Sequence, residues 1–350
     1  MGNEVFSRSG KENKKRAIVF IALGVSLVLF FFLCLYLGTT NVPADKVLPA
    51  LFGQGEARYV RLIQKARLPR ALGALLIGGG LGLSGLLMQT CLHNEIASPG
   101  TLGVSQAAVL GANIAILILE PSGSQFVAVA ASPFPVSALA FAFAAICILI
   151  VLGISMIGKF RPGEVVLAGI ALGSCFQAAS TLMQFLSDDI QLSAVVRWSF
   201  GDLERLNYQE IIILASVLFV CFIFFMLFAR RYNALLGGEG FAKSLGVKTG
   251  IFRLGTLFLA SLIASLCVAF AGIIGFIGIV APALMKRILG KDHRIALPSS
   301  LLAGSVLLLV SDLLTRLLGG GMSLPVGAIT AILGTPFFLF ILFAGRRKAS

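Results

Sequence analysis

Ten apolar runs, separated by short polar or Gly/Pro-containing stretches, restrict this chain more than any other feature. Their approximate limits are 17–38, 71–92, 102–119, 134–157, 164–186, 210–229, 252–272, 274–289, 296–317 and 324–344. About 20 apolar residues are needed for a helix to cross a bilayer. In hydrocarbon every backbone N–H and C=O must be paired within the protein, so such runs become helices. The composition points the same way. With 58% hydrophobic and 12% charged residues in 350, the chain carries more apolar surface than a water-exposed protein can cover. The expectation is an all-α, polytopic membrane protein of about ten transmembrane helices in one domain, residues 17–344. A basic tail at 1–16 and a short tail at 345–350 flank it. A net charge of +13 would indicate nucleic acid only on a soluble domain, and no such domain is visible, so no nucleic-acid partner is expected.

Lys and Arg counts orient the bundle. With the N-terminus inside, 19 of the 28 basic residues fall on the inner side and 9 on the outer, so both termini are expected in the cytoplasm. The largest exception is "RYVRLIQKARLPRALG", residues 58–73, which places Arg58, Arg61, Lys65, Arg67 and Arg70 outside. Two readings stand: a solvated amphipathic helix whose cations reach to headgroups, or a surface that docks an acidic partner.

No catalytic constellation is present. The two histidines, His93 and His293, have no metal-ligand spacing, and no HExxH or GxSxG occurs. Walker A is absent; "GFAKS" and "GVKTG" both lack its Gly-Lys-Ser/Thr ending. If ATP drives this protein, another chain supplies the ATPase. Charged residues inside the runs are scarce, Asp312 lies toward the outer end of the ninth run, and no Asp/Glu/His relay of the kind found in proton-coupled carriers is apparent. The six cysteines lie in or at the ends of apolar runs without CxxC spacing and read as packing residues. No cofactor and no metal are expected. The long apolar segment after the basic N-tail is too long for a signal-peptide core and reads as the first span.

Small residues recur at helical spacing: Gly78 with Gly82, Gly80 with Ser84, and Gly169 with Gly173. Such faces let helices approach closely in lipid. Gln89, Asn113, Gln177 and Gln184 are uncharged polar residues within spans, expected to form interhelical hydrogen bonds or to face a water-filled path. The inner loop "ARRYNALLGGEGFAKSLGVKTG" predicts a short amphipathic helix at about 235–247. Glu239 and Lys243 form an i,i+4 pair there, and Gly246 is its C-cap. It could rest on headgroups or insert into a cytoplasmic partner.

Seven stretches in order carry a resemblance: "RLPRALGALLIGGGLGLSGLLMQ", "SPGTLGVSQAA", "LAGIALGS", "GEGFAKSLGV", "GFIGIVAP", "GKDHRIALPSSLLAG" and "LPVGAITAILGTPFFLFIL". From about Arg67 onward the chain resembles the FecCD family, permease subunits of type II ABC importers for iron-siderophores, haem and cobalamin. The resemblance implies a ten-span subunit in the cell membrane with both termini cytoplasmic. It also implies a second permease subunit, two cytoplasmic ATPases and an extracytoplasmic substrate-binding protein as partners. It implies that Arg67, Arg70 and Arg316 dock the binding protein, and that Glu239, Leu245 and Gly246 couple to the ATPase. The fifth span and its approach, with Arg161, Pro162, Gly169, Gly173 and Gln177, would form the translocation path and gate. A short outer helix is implied around Trp198 and "FGDL". Two positions depart from the family pattern: Ala283 follows Pro282 where His is usual, and Glu95 follows Asn94 where Pro is usual. A ferric siderophore is the expected cargo, with haem and cobalamin as alternatives. A secondary carrier is the competing class, and an intramembrane enzyme is disfavoured for want of a nucleophile or metal set.

Overall fold

The computed structural model describes residues 2–38, 40, 42–118, 134–157, 161–319 and 324–346. Among these residues every regular element is helical. In chain order the helices are α1 (Gly2–Tyr36), α2 (Ala44–Leu51), α3 (Ala57–Leu92), α4 (Val104–Ile118), α5 (Phe134–Ile157), α6 (Pro162–Phe185) and α7 (Asp189–Ser199). There follow α8 (Tyr208–Leu227), α9 (Ala229–Leu236), α10 (Glu239–Ser244), α11 (Thr249–Ala271), α12 (Ile277–Leu289), α13 (His293–Leu318) and α14 (Val326–Arg346). Each of the ten apolar runs meets a helix. Seven of these helices are long and apolar enough to cross a membrane, while α4, α12 and the apolar part of α14 are shorter.

The helix boundaries differ from the sequence reading in three places. Helix α1 begins at Gly2, so the basic tail expected at 1–16 is continuous with the first span. Helix α3 begins at Ala57, well before 71, and carries a π turn at Ile63–Arg67. The helix expected at 235–247 is two helices, because Gly238 adopts φ 93° and breaks the run between α9 and α10.

Packing centres on α3, whose stretch from Arg67 to Leu92 is almost wholly buried between α13, α11 and α12. Small residues set these distances. A Cβ on Gly78 would lie 2.4 Å from the Gly304 carbonyl oxygen, and one on Gly82 2.4 Å from that of Ser300, both on α13. Gly80 faces the other way, toward Cys267 and Ile263 on α11. The two small-residue faces expected on this helix thus serve two different neighbours. A side chain on any of these glycines would push the helices apart and forfeit dispersion contact along both.

The break in "AGIIGFIG" separates α11 from α12, with Gly272 at φ 74° and Phe276 at φ 66°. Before α4 the chain makes a single 3-10 turn at Gly100–Leu102, and this turn wedges against α6. By contrast, α1, α6 and α8 leave much of their surface uncovered.

Candidate functional site

Among the described residues, polar groups bearing on function gather at the outer end of the apolar bundle, at its inner end and along α6.

At the outer end, Arg67, Arg70 and Arg316 are 5–6% exposed. Their guanidiniums turn inward, not onto the outer surface that the resemblance implies. Arg67 Nη1 donates to the carbonyls of Leu35 (2.8 Å) and Tyr36 (2.6 Å), and Nη2 donates to that of Thr40. Arg316 Nη1 donates to the carbonyls of Cys34 (2.7 Å) and Leu37 (3.4 Å). The carbonyls of Cys34, Leu35 and Tyr36 are ones that α1 cannot satisfy internally, because the last four of any helix have no intrahelical donor, and those of Leu37 and Thr40 lie just beyond its end. Two cations at that C-terminus also match its partial negative charge. Arg70 Nε donates to Asp312 Oδ1 at 2.6 Å, Nη2 to Thr315 Oγ1 at 3.0 Å, and Nη1 to Glu204. Arg316 also pairs with Asp312 Oδ2. The fully buried Asp312 carboxylate therefore lies between two guanidiniums, as a structural knot. The rest of the basic cluster behaves differently: Arg58, Arg61 and Lys65 are exposed.

At the inner end a polar joint ties α3, α9 and α13 together. His293 Nδ1 donates to Asn233 Oδ1 at 2.9 Å, its Nε2 lies 2.8 Å from Thr90 Oγ1, and its backbone N–H donates to Asn233 Oδ1 at 2.8 Å. Asn233 Nδ2 donates to Asp292 Oδ1 at 2.7 Å. Burial pushes the Asp292 carboxyl up, but the Asn233 amide, the Arg294 backbone N–H and the nearby cations outweigh it, so its pKa falls below the ordinary 3.8. Gln89 Nε2 donates to the Gly278 carbonyl at 3.3 Å, and Gln89 Oε1 accepts from Lys286 at 2.6 Å, which is the interhelical bonding expected of this residue.

Beside the joint lies α10. Glu239 pairs with Lys243 at 2.7 Å and lies 3.8 Å from Arg253. The Lys243 ammonium holds the Glu239 carboxyl below the ordinary carboxylate range, with Arg253 and Thr249 adding to the effect against a small opposing contribution from burial. Arg253 also lies 3.5 Å from His93 Nδ1, and His93 Nε2 meets the Leu235 carbonyl at 3.0 Å. The end of α3 is thus linked to α9 and, through Arg253, to Glu239 on α10. Gly246 adopts φ 78°, and the Gly246 and Val247 N–H groups close back on Lys243 and Ala242, which ends the helix as its spacing predicts. Phe241 and Leu245 are more than half exposed.

Along α6 a cleft of about 910 Å³ opens, lined among others by Ser98, Thr101, Gln106, Ser174, Gln177 and Thr181. Gln177 is exposed in it. Gly169 and Gly173 are buried at its floor: a Cβ on Gly169 would lie 2.6 Å from Leu102 Cα, and one on Gly173 3.2 Å from Gly103 Cα. They seat the 98–103 turn against α6. Arg161 is exposed and pairs with Glu164 at 3.1 Å, and Pro162 opens the helix. The approach residues 158–160 lie outside the described residues. The outer helix expected near Trp198 is α7, which ends at Ser199, just before "FGDL". Asn113 is fully buried with no partner for its amide among the described residues, and Gln184 is half-buried. Among the described residues no His/Cys/Asp/Glu group has the arrangement of a metal site.

Sequence reasoning missed the knot's acceptors and the joint formed by Asn233, Asp292, His293 and Thr90. One signal was available. Arg58, Arg61 and Lys65 recur at helical spacing, whereas Arg67 is two residues beyond Lys65 and so faces roughly the opposite way.

Residues 26–344 match the FecCD transport family. A protein of Methanocaldococcus jannaschii described as an ABC transporter permease is 39% identical over 334 residues, covering 94% of this chain and 95% of that relative. The permease protein of the Fe(3+)-citrate import system of Bacillus subtilis is 31% identical over 342 residues, covering 97% of this chain and 99% of that relative. Among solved structures, a transporter described as of metal-chelate ABC type, in an inward-facing conformation, superposes with a TM-score of 0.82 at 26% identity. The superposition covers 94% of this chain and 99% of that one.

Proposed function

The chain belongs to the FecCD transport family, and from that premise we propose that it is the transmembrane permease subunit of an ATP-driven importer of a ferric siderophore. In this reading it lies in the cell membrane with both termini cytoplasmic. It pairs with a second permease subunit, the same or paralogous, above two ATPase subunits, and it receives cargo from an extracytoplasmic binding protein. The observation that carries the reading is family membership over residues 26–344 in a sequence with no nucleotide-binding motif of its own.

The geometry suggests a division of labour. The α6 face, with Gln177 exposed beside Ser174 and Thr181, forms the path against the second subunit; Arg161 and Pro162 stand at its inner gate, and Gly169 with Gly173 braces it. Phe241 and Leu245 present an apolar plug to the ATPase. Glu239 and Gly246 hold the shape of that plug, and the Glu239–Arg253–His93 linkage carries its motion to the end of α3. For docking, the exposed Arg58, Arg61 and Lys65 offer the charge, because complementary charge at a rim steers encounter. Arg67, Arg70 and Arg316 hold the platform beneath them.

The test is uptake of labelled ferric hydroxamate, ferric catecholate, haem and cobalamin in cells lacking this chain and in the same cells complemented. Loss and rescue of an iron chelate supports the reading. Full uptake of all four without the chain refutes it as the importer of any of these cargoes.

A further inference from the structure

At the inner end a separate groove of about 750 Å³ opens between the last turn of α5, α10 and the first turn of α11. Its upper part is built for an anion. Helix α11 is 23 residues long, and no side chain caps its N-terminus. Its backbone ladder opens with the Phe252 N–H donating to the Lys248 carbonyl at 3.0 Å, so the N–H groups of Thr249, Gly250 and Ile251 precede that bond. Space stands beside this turn: a Cβ on Gly250, which lines the groove, would meet no neighbour within 4 Å. An uncapped helix start of this kind attracts negative charge. Independently, Ser155 lines the groove from α5, is 3% exposed, and its hydroxyl has no hydrogen-bond partner among the described residues. A buried hydroxyl left unpaired carries a cost that a ligand oxygen would remove. The charged lining residues are Lys243, Lys248 and Glu239. The Glu239 carboxylate is already held by Lys243 at 2.7 Å and by the Thr249 hydroxyl at 3.4 Å, with Arg253 at 3.8 Å, whereas Lys248 is exposed. The lower part is apolar. Met156 and Ile251 are exposed in it, and the uncovered side chains of Ile154 on α5 and Phe258 on α11 extend the same surface along two helices that pack together and are long enough to cross a bilayer.

We propose that this groove binds an anionic phospholipid of the inner leaflet, its phosphate accepting from the first turn of α11, Lys248 and Ser155, and an acyl chain lying along α5 and α11. Donors and cations above an apolar stripe match a phospholipid, whereas a free anion would have no use for the stripe. A zwitterionic headgroup brings the same phosphate together with its own cation, which two lysines disfavour. The inference goes beyond the permease reading and needs only the orientation of the bundle in the bilayer. It is compatible with that reading: Glu239 and Lys243 share one face of α10, whereas Phe241 and Leu245 lie two residues off it, so the apolar plug points away from the groove.

Two measurements test this. First, the purified full-length protein is given equal amounts of phosphatidylglycerol and phosphatidylcholine with the same acyl chains, and the retained lipid is read by native mass spectrometry. Phosphatidylglycerol is expected to be preferred by at least about tenfold, the worth of one charge-assisted hydrogen bond. Lys248→Gln with Gly250→Asp is expected to abolish the preference. Gly250→Asp alone, which leaves every other side chain of the groove in place, is expected to do the same, because a carboxylate in the first turn favours the helix and occupies the anion's position. Equal retention of the two lipids, or a preference that survives both variants, overturns the proposal. Second, Met156→Cys is made in a Cys175→Ala background, which removes the one exposed cysteine of the six. Neutral N-ethylmaleimide is expected to label it several-fold more slowly in phosphatidylglycerol nanodiscs than in phosphatidylcholine ones, and Gly250→Asp is expected to remove the difference. Labelling at one rate in both lipids overturns the proposal. Protection in phosphatidylcholine by millimolar inorganic phosphate would assign the groove to a soluble anion, and protection there only on adding ATPase subunits would assign it to that partner. Either result overturns the lipid assignment.

Discussion

At the outer end of the bundle, Asp312, Arg70 and Arg316 are buried and bonded to one another, whereas along α6 Ser174, Gln177 and Thr181 stand uncovered in a cleft. Both regions place polar groups in an apolar sequence. In the first, strong charges are bonded mainly within the chain, although Arg316 Nε has no hydrogen-bond partner among the described residues, so their removal should damage the fold. In the second, weak neutral groups keep capacity in reserve, so their removal should damage transport.

The largest effect expected is from Asp312→Ala. It removes the carboxylate that two buried guanidiniums share, and breaking a buried pair by removing one partner costs about 3–5 kcal/mol. Thermal unfolding of the purified protein in detergent reads this, and a loss below about 1 kcal/mol would show that the knot is dispensable. Arg67→Ala comes next. It leaves α1 carbonyls without donors, at about 1–3 kcal/mol for each buried group left unsatisfied. Proteolysis at the α1–α2 connection should accelerate with it. The double reversal Arg67→Glu and Arg316→Glu should therefore deplete folded protein from the membrane and not simply abolish docking.

Arg58→Glu with Arg61→Glu provides the contrast. Stability should stay within about 0.5 kcal/mol, while association with the binding protein slows, since rim charges act mainly on the on-rate. An unchanged on-rate across salt concentrations would remove these residues from the docking surface. Gln177→Ala should likewise leave unfolding within about 0.5 kcal/mol and change the initial rate of uptake. A lower melting temperature with unaltered uptake would reverse the assignment of the α6 face.

The smallest effect concerns the inner joint. Because the folded pKa of Asp292 is depressed, its contribution to stability is present in full above the ordinary carboxylate value of 3.8 and is lost as pH falls through the lower folded value. Stability should thus be flat with respect to this group at neutral pH and decline below about pH 4. Asp292→Asn should weaken the protein at pH 7 by a few tenths of a kcal/mol and flatten part of the acid decline. Identical unfolding curves for the two proteins from pH 7 to pH 3 would show that the joint does not depend on the charge.

Much of this protein is readable from spacing alone. The ten apolar runs each became a helix because hydrocarbon leaves the backbone no other general way to pair. Gly78, Gly80 and Gly82 announced close helix contacts because a missing Cβ is a local property. The Gly246 cap and the Glu239–Lys243 pair were likewise legible, since both lie within one turn. The split between α9 and α10 could also have been read from "GG" at 237–238, where a single helix was expected.

What the sequence could not decide is where each polar group finds its partner. Arg67 and Arg70 carry the same charge as Arg58 and Arg61 and lie within one short stretch. Their burial depends on the C-terminal carbonyls of α1, more than 25 residues earlier, and on Asp312, more than 240 residues later. Asn233 and His293 become one joint only because α9 and α13 meet at the inner end. Gly169 and Gly173 brace a turn because the 98–103 segment folds against α6. The sequence by itself determined that the chain is a helical membrane bundle, since solvent and backbone chemistry act residue by residue. The tertiary structure alone decided which polar residues are closed within the fold and which face a path, because hydrogen bonding is pairwise and its partners are distant in the chain.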